Sequence, residues 1–195
     1  MDTGNPGYFN RYAYTFNNPI NFIDPDGECS TNADGHPVGI CPTDDPTEEF
    51  MNNMSKQLLK QTKETNQELV DNDRLIQVMA GDTSPSGAQV NGGRFEAGED
   101  SEGREIGTVV LDFEDIVSTV FENTSTNETV FEDLSMEEIF SHEGNGHGMD
   151  FAKGGIKRVK SRGERNARKA EDKLRRMKKT PFKRTSEKIS VRPRY

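Results

Sequence analysis

Two of the three histidines in this 195-residue chain, His142 and His147, flank a glutamate in the stretch Ser141-His142-Glu143-Gly144-Asn145-Gly146-His147-Gly148. Imidazole nitrogens are the commonest protein ligands for a metal ion, and a carboxylate beside them is placed to take a proton from water. That chemistry requires both rings on one face of a helix. Ser135 followed by Glu138 has the spacing of a capping box, so a helix is expected to start there and carry Ile139 and Phe140 into a core. In a regular α-helix a residue at i+4 lies ~40° round from residue i, but His147 stands at i+5, ~140° away from His142. One extra residue in the turn, a π-bulge, would realign the pair. Gly144 and Gly146 ease such a distortion, at about 1 kcal/mol each in helix propensity. The alternative is a helix that stops at Gly144 and leaves both histidines in a glycine-rich surface loop.

His142-Glu143-x-x-Gly146-His147 resembles the zinc-binding pattern of dipeptidyl peptidase III. In zinc peptidases of this kind two histidines hold Zn²⁺, and the glutamate between them activates water. A catalytic zinc usually takes a third protein ligand. Downstream, Glu164, Ala167 and Glu171 follow i, i+3 and i+7 and would share a helix face, with the small Ala167 permitting a close approach to the helix that carries the histidines. This block resembles the second characteristic segment of short zincin-type metallopeptidases that occur as C-terminal toxin or effector domains. The resemblance puts Glu164 at the third zinc ligand, Glu171 behind a ligand imidazole, and Arg175 at the closing arginine. Arg168 and Asp172 depart from that pattern. An arginine and a tyrosine that contact the substrate often follow in that family. Arg184 and Tyr195 are the candidates here, although Glu187 stands where the tyrosine is expected.

The elements that must hold these residues are sparse in apolar content. Hydrophobic residues make up 30% of the chain, charged residues another 30%, and there is no tryptophan, so a small core with long loops is expected. No apolar run approaches the ~20 residues of a membrane span. No signal-peptide pattern opens the chain, which points to export by another route or within a larger protein. Residues 1–150 carry a net charge of −23 and residues 151–195 carry +14. The basic tail from 173 to 195 reads as a solvated helix with a flexible end, or as an electrostatic footprint for nucleic acid.

Residues 10–27, Asn-Arg-Tyr-Ala-Tyr-Thr-Phe-Asn-Asn-Pro-Ile-Asn-Phe-Ile-Asp-Pro-Asp-Gly, read as a short strand between turns. The string resembles the C-terminal end of the core of Rhs and YD-repeat proteins, where a β-shell encloses a variable toxin. Residues 1–28 are accordingly expected to be a core tail, 29–47 a turn-rich linker, and 48–195 the toxin domain. Cys29 and Cys41 could close a disulfide outside the cell or remain free thiols inside it. A helix is expected from Thr47 through Val70, a turn at Asp71-Asn72-Asp73, a strand at 75–79, a long loop or elaborated hairpin over 81–107, and a strand at 108–113 beside the site helix. The fold class expected is α+β, a small zincin-like domain. The resemblances imply a zinc-dependent peptidase toxin, delivered by a contact-dependent or type VI-like route, with a protein substrate, a cognate immunity protein and the Rhs core as partners. The competing expectations are a metal-dependent nuclease that uses the same cluster and the basic tail, and a binding cassette with no catalysis.

Overall fold

The computed structural model describes residues 30–32, 34–42, 67–70, 72–123, 125–178 and 182–193. The Rhs-like tail and the helix expected from Thr47 to Asn66 lie outside them. The architecture is mixed α+β. Strands β1 (Ser30–Thr31) and β2 (Pro37–Pro42) are followed by a short helix α1 (Gln67–Val70), then β3 (Leu75–Ala80), β4 (Gly93–Glu99) and β5 (Glu105–Leu111). These strands form one sheet in the order β1-β2-β3-β5-β4, with β2, β3 and β5 parallel and β1 and β4 antiparallel to their neighbours. A second, antiparallel sheet has the order β7-β6-β8, built from β6 (Asp115–Asn123), β7 (Thr129–Asp133) and β8 (Phe182–Pro193). Between β7 and β8 run α2 (Met136–His142), a π-helical turn (Glu143–Gly148), α3 (Met149–Arg162) and α4 (Glu164–Met177).

Local sequence explains these elements. In β3 the alternation of Ile76, Val78 and Ala80 puts every second side chain into the core. β5 is an interior strand, and its run Gly107 to Leu111 is buried throughout. One core joins both sheets to the helices: Ile76, Val78, Val109 and Leu111 meet Val117 and Phe121 of β6, Ile139 and Phe140 of α2, and Phe151 of α3. Each large apolar side chain buried in this way contributes roughly 1.5–3 kcal/mol. Asn72 closes the expected turn before β3, donating to the Leu69 carbonyl at 2.5 Å and accepting from the Arg74 N–H at 2.8 Å.

Two expectations are corrected and one open choice is resolved. Residues 30–42, read as linker, contribute two strands, and β2 pairs with β3 in the main sheet. Over 81–107 a long loop and an elaborated hairpin are the alternatives, and the hairpin is found: β4 pairs antiparallel with β5. The basic tail is no flexible end over 182–193, because that stretch pairs with β6 as β8.

Helix α3 breaks at Gly154–Gly155, where Gly155 takes the left-handed value φ 61°. The break frees a carbonyl before it and an N–H beyond it, and the sheet supplies partners for both. Glu105 accepts from the Ile156 N–H at 3.4 Å, while Arg74 donates to the Ala152 carbonyl at 3.0 Å and to Glu105 at 3.1 Å. The bend redirects the end of α3 and so fixes where α4 begins. A Cβ at position 155 would lie 1.9 Å from the Glu105 carboxylate, whereas Gly103, at φ 76°, has open space around it. Gly103→Ala should therefore cost only the left-handed backbone penalty, about 1–2 kcal/mol. Gly155→Ala should cost that and the displacement of Glu105. Urea unfolding should place the Gly155→Ala midpoint lower; equal midpoints would show that Glu105 does not hold the break.

Candidate metal centre

Ser135 caps α2 as its spacing implies: its side chain accepts from the Glu138 N–H, and the Glu138 carboxylate accepts from the Ser135 N–H at 2.8 Å. The helix therefore starts in a fixed phase, and His142 falls in its last turn. From Glu143 to Gly148 the backbone winds as a π-helix, with no break before α3. This is the distortion that the i+5 spacing demands, since the extra residue in the turn returns His147 to the face of His142. The two ring centroids stand 5.3 Å apart, edge to face. Phe95 of β4 stacks on His147 with centroids 6.2 Å apart and leans on Phe151 at 5.9 Å. Gly107 leaves room for both phenyl rings, because a Cβ there would come within 3.0 Å of each.

Helix α4 brings the acidic partner. Gly146 of the π-turn faces Ala167, which is fully buried, and a Cβ on Gly146 would lie 2.3 Å from the Ala167 Cα. Only a glycine against an alanine lets the two helices come this close. One turn before Ala167, Glu164 presents Oε2 to His142 Nε2 at 2.9 Å and Oε1 to His147 Nε2 at 3.4 Å. One turn after it, the buried Glu171 faces His142 Nδ1 at 3.3 Å. In the metal-free protein His142 donates from Nδ1 to Glu171 and from Nε2 to Glu164, and loss of the Nε2 proton would free that nitrogen for a metal. His142, His147 and Glu164 each offer a ligand atom within 4.8 Å of the others, so the group could hold a metal ion. The donor set of two imidazoles and one carboxylate suits zinc. Glu164 is 57% exposed, which leaves one side of the group open to solvent.

Glu143 opens the π-turn beside this group, and its carboxylate accepts the backbone N–H of Phe95. Gly93 makes that approach possible, because a Cβ there would meet Ile139 at 2.3 Å and Glu143 at 3.2 Å. Withdrawal from water raises the Glu143 pKa, and this outweighs the opposing charges of His142 and His147. Glu164 moves the other way: hydrogen bonds from His142 and His147 hold it far below the usual carboxylate range. A cavity of about 290 Å³ opens onto His142, Glu143 and Glu164, with Arg168 and Ile139 in its wall.

The structure thus brings together His142, Glu143, His147, Glu164 and Glu171. The Arg184 backbone lies in β8 opposite Phe121, while the Arg184 side chain and Tyr195 lie outside what the structure describes. Arg175, expected to close the second block, is buried away from the histidines. It pairs with Glu138 at 2.7 Å and stacks 3.4 Å over the Phe121 ring, tying α4 to the second sheet. Sequence reasoning missed Phe95 and Gly93, although Gly92-Gly93 ahead of the alternating Arg94-Phe95-Glu96-Ala97 is a strand-start signal. The strand expected over 108–113 is β5, which does pack beside the site helix but lies inside the sheet, so among the described residues the strand with a free side is β4. Cys41 is disulfide-bonded, and the chain's only other cysteine is Cys29. Among families of known proteins, curated proteins and solved structures, the chain has no match.

The imidazole–carboxylate pairing has a consequence for the metal-free protein. Burial disfavours a charge on His142, but hydrogen bonds to Glu164 and Glu171 and the nearby charge of Glu143 more than reverse this and raise its pKa from 6.5 to about 9. A raised folded-state pKa stabilises the fold fully below the unfolded value of 6.5 and is lost as pH climbs through about 9. Melting of the metal-free protein should fall across that window, and the fall should shrink in Glu171→Gln. An identical pH profile in wild type and variant would contradict the pairing.

Proposed function

We propose that this chain is a zinc-dependent peptidase, with His142, His147 and Glu164 as metal ligands and Glu143 as general base. The observation that carries the proposal is the π-turn. It accepts a local distortion to align two imidazoles, and it places a raised-pKa carboxylate next to them on the side of an open sheet edge. Zinc held there supplies Lewis acidity towards a carbonyl oxygen and acidifies water. The raised pKa suits Glu143 to take a proton from the attacking water near neutral pH and return it to the leaving amine. Glu171 holds His142 through Nδ1, fixing ring orientation and tautomer.

The sheet supplies a way to present a peptide. Among the described residues β4 pairs only with β5, so its far side is an edge. The Phe95 N–H points to Glu143, away from β5. By the alternation of an antiparallel ladder, Gly93, Ala97 and Glu99 turn their backbone groups the same way. An extended peptide added along that edge would run past Glu143 and the ligand group. In the setting that the Rhs-like tail implies, the substrate is a protein of a target cell, and the producer carries an immunity protein. No helix among the described residues is long and apolar enough to cross a membrane.

Zinc-loaded protein incubated with denatured casein should generate new peptide termini that mass spectrometry detects. Glu143→Gln should keep its zinc and lose at least ~100-fold in rate, the low end for removing a general base. Cleavage by Glu143→Gln at the wild-type rate, or degradation of nucleic acid in place of casein, would overturn the reading.

A further inference from the structure

Helix α4 has a second working face. Glu164, Arg168 and Glu171 look onto the metal-group cavity, whereas Lys169, Lys173 and Met177 line a separate groove of about 400 Å³ on the other side of the Gly146–Ala167 contact. The groove floor is apolar, formed by the buried Phe140 and Leu174 with Met149, and Met177 stands 57% exposed at one end. Met177 extends the apolar floor to the mouth of a groove whose walls are polar and charged. Methionines suit such a floor because their side chains adapt to the shape of a guest.

Charge identifies the guest. Most ionised groups in the groove wall are matched within the protein: Asp150 by Arg158 at 2.9 Å, Lys153 by Glu68 at 2.8 Å, and Glu137 by Lys178. Lys169 and Lys173 are exposed and have no acidic partner among the described residues. They stand one helical turn apart, and Met177 follows one turn further, so the face reads cation, cation, apolar at i, i+4 and i+8. A helix that presents two carboxylates one turn apart and an apolar residue on the next turn is complementary to this row. Nucleic acid would satisfy the lysines but leave the apolar floor unused.

We propose that this groove is the docking site for an acidic amphipathic helix of a partner protein. The site is independent of the metal group, although its wall includes Asn145 and Gly146 of the π-turn. The probe is a fluorescein-labelled synthetic helix with glutamates along one face and leucines beside them, titrated with the full chain and read by anisotropy. The double variant Lys169→Glu/Lys173→Glu should weaken binding about tenfold or more, since two exposed pairs turn repulsive. Met177→Ser should weaken it several-fold, and Lys160→Glu/Arg162→Glu, at exposed positions outside the groove, should leave it within about twofold. All of these sites are exposed, so the variants should melt with the wild type. The proposal is overturned if the control pair weakens binding as much as the groove pair, if Met177→Ser binds like wild type, or if a helix with lysines in place of the glutamates binds equally well. It is also overturned if a single-stranded oligonucleotide displaces the probe from wild type but not from the groove variant.

Discussion

The contact between Gly146 and Ala167 decides whether the histidines have an acidic partner. With almost no side chain on either residue, the π-turn and α4 pack backbone to backbone, and Glu164 and Glu171 straddle the contact one turn to each side. Any larger residue at 146 would push α4 outward and take both carboxylates from the rings together. Elsewhere the fold holds this approach in place. The break at Gly154–Gly155, held by Arg74 and Glu105, aims α4 back across the π-turn. At the other end of α4, Arg175 anchors to Glu138 and the Phe121 ring. Glu138 also closes the capping box of α2, so one carboxylate links the start of the histidine-bearing helix to the end of the helix that carries the third donor.

The second constraint is electrostatic. Three carboxylates surround His142, and two of them, Glu143 and Glu171, are drawn away from water. Such a cluster is costly unless cations balance it. Without metal the balance comes from a proton on His142; a divalent ion would supply it more fully and leave the imidazoles neutral. On a larger scale, the acidic first 150 residues and the basic remainder meet in ion pairs such as Lys153 with Glu68 and Arg175 with Glu132. Lys153 and Glu68 lie at the surface, where such a pair contributes little, whereas Arg175 is buried.

Much of the site was readable from local chemistry. The i+5 separation of the histidines has few helical solutions, and the glycines between them pointed to the π-turn found. Ser135 and Glu138 located the helix start, and Ala167 marked the close approach. The strand arrangement was less legible, because it depends on long-range pairing. β4 is rich in Gly, Arg and Glu because one side is an edge and its ends are wet. β8 looks like a charged tail because its partner, β6, lies far back in the sequence. Residues 30–42 carry turn residues on both sides of a strand whose pairing with β3 no local pattern announces. Arg175 was readable as part of a motif, but its place under Phe121 depends on how α4 crosses the second sheet.

The most direct test is the metal content of the purified chain after dialysis, for wild type beside His147→Ala and Glu164→Ala. The account predicts about one zinc per wild-type chain, as a three-ligand site requires, and loss from both variants. A wild-type chain that binds no zinc from a zinc-containing buffer, or a Glu164→Ala variant that retains it fully, would contradict the assignment of these residues as a metal centre.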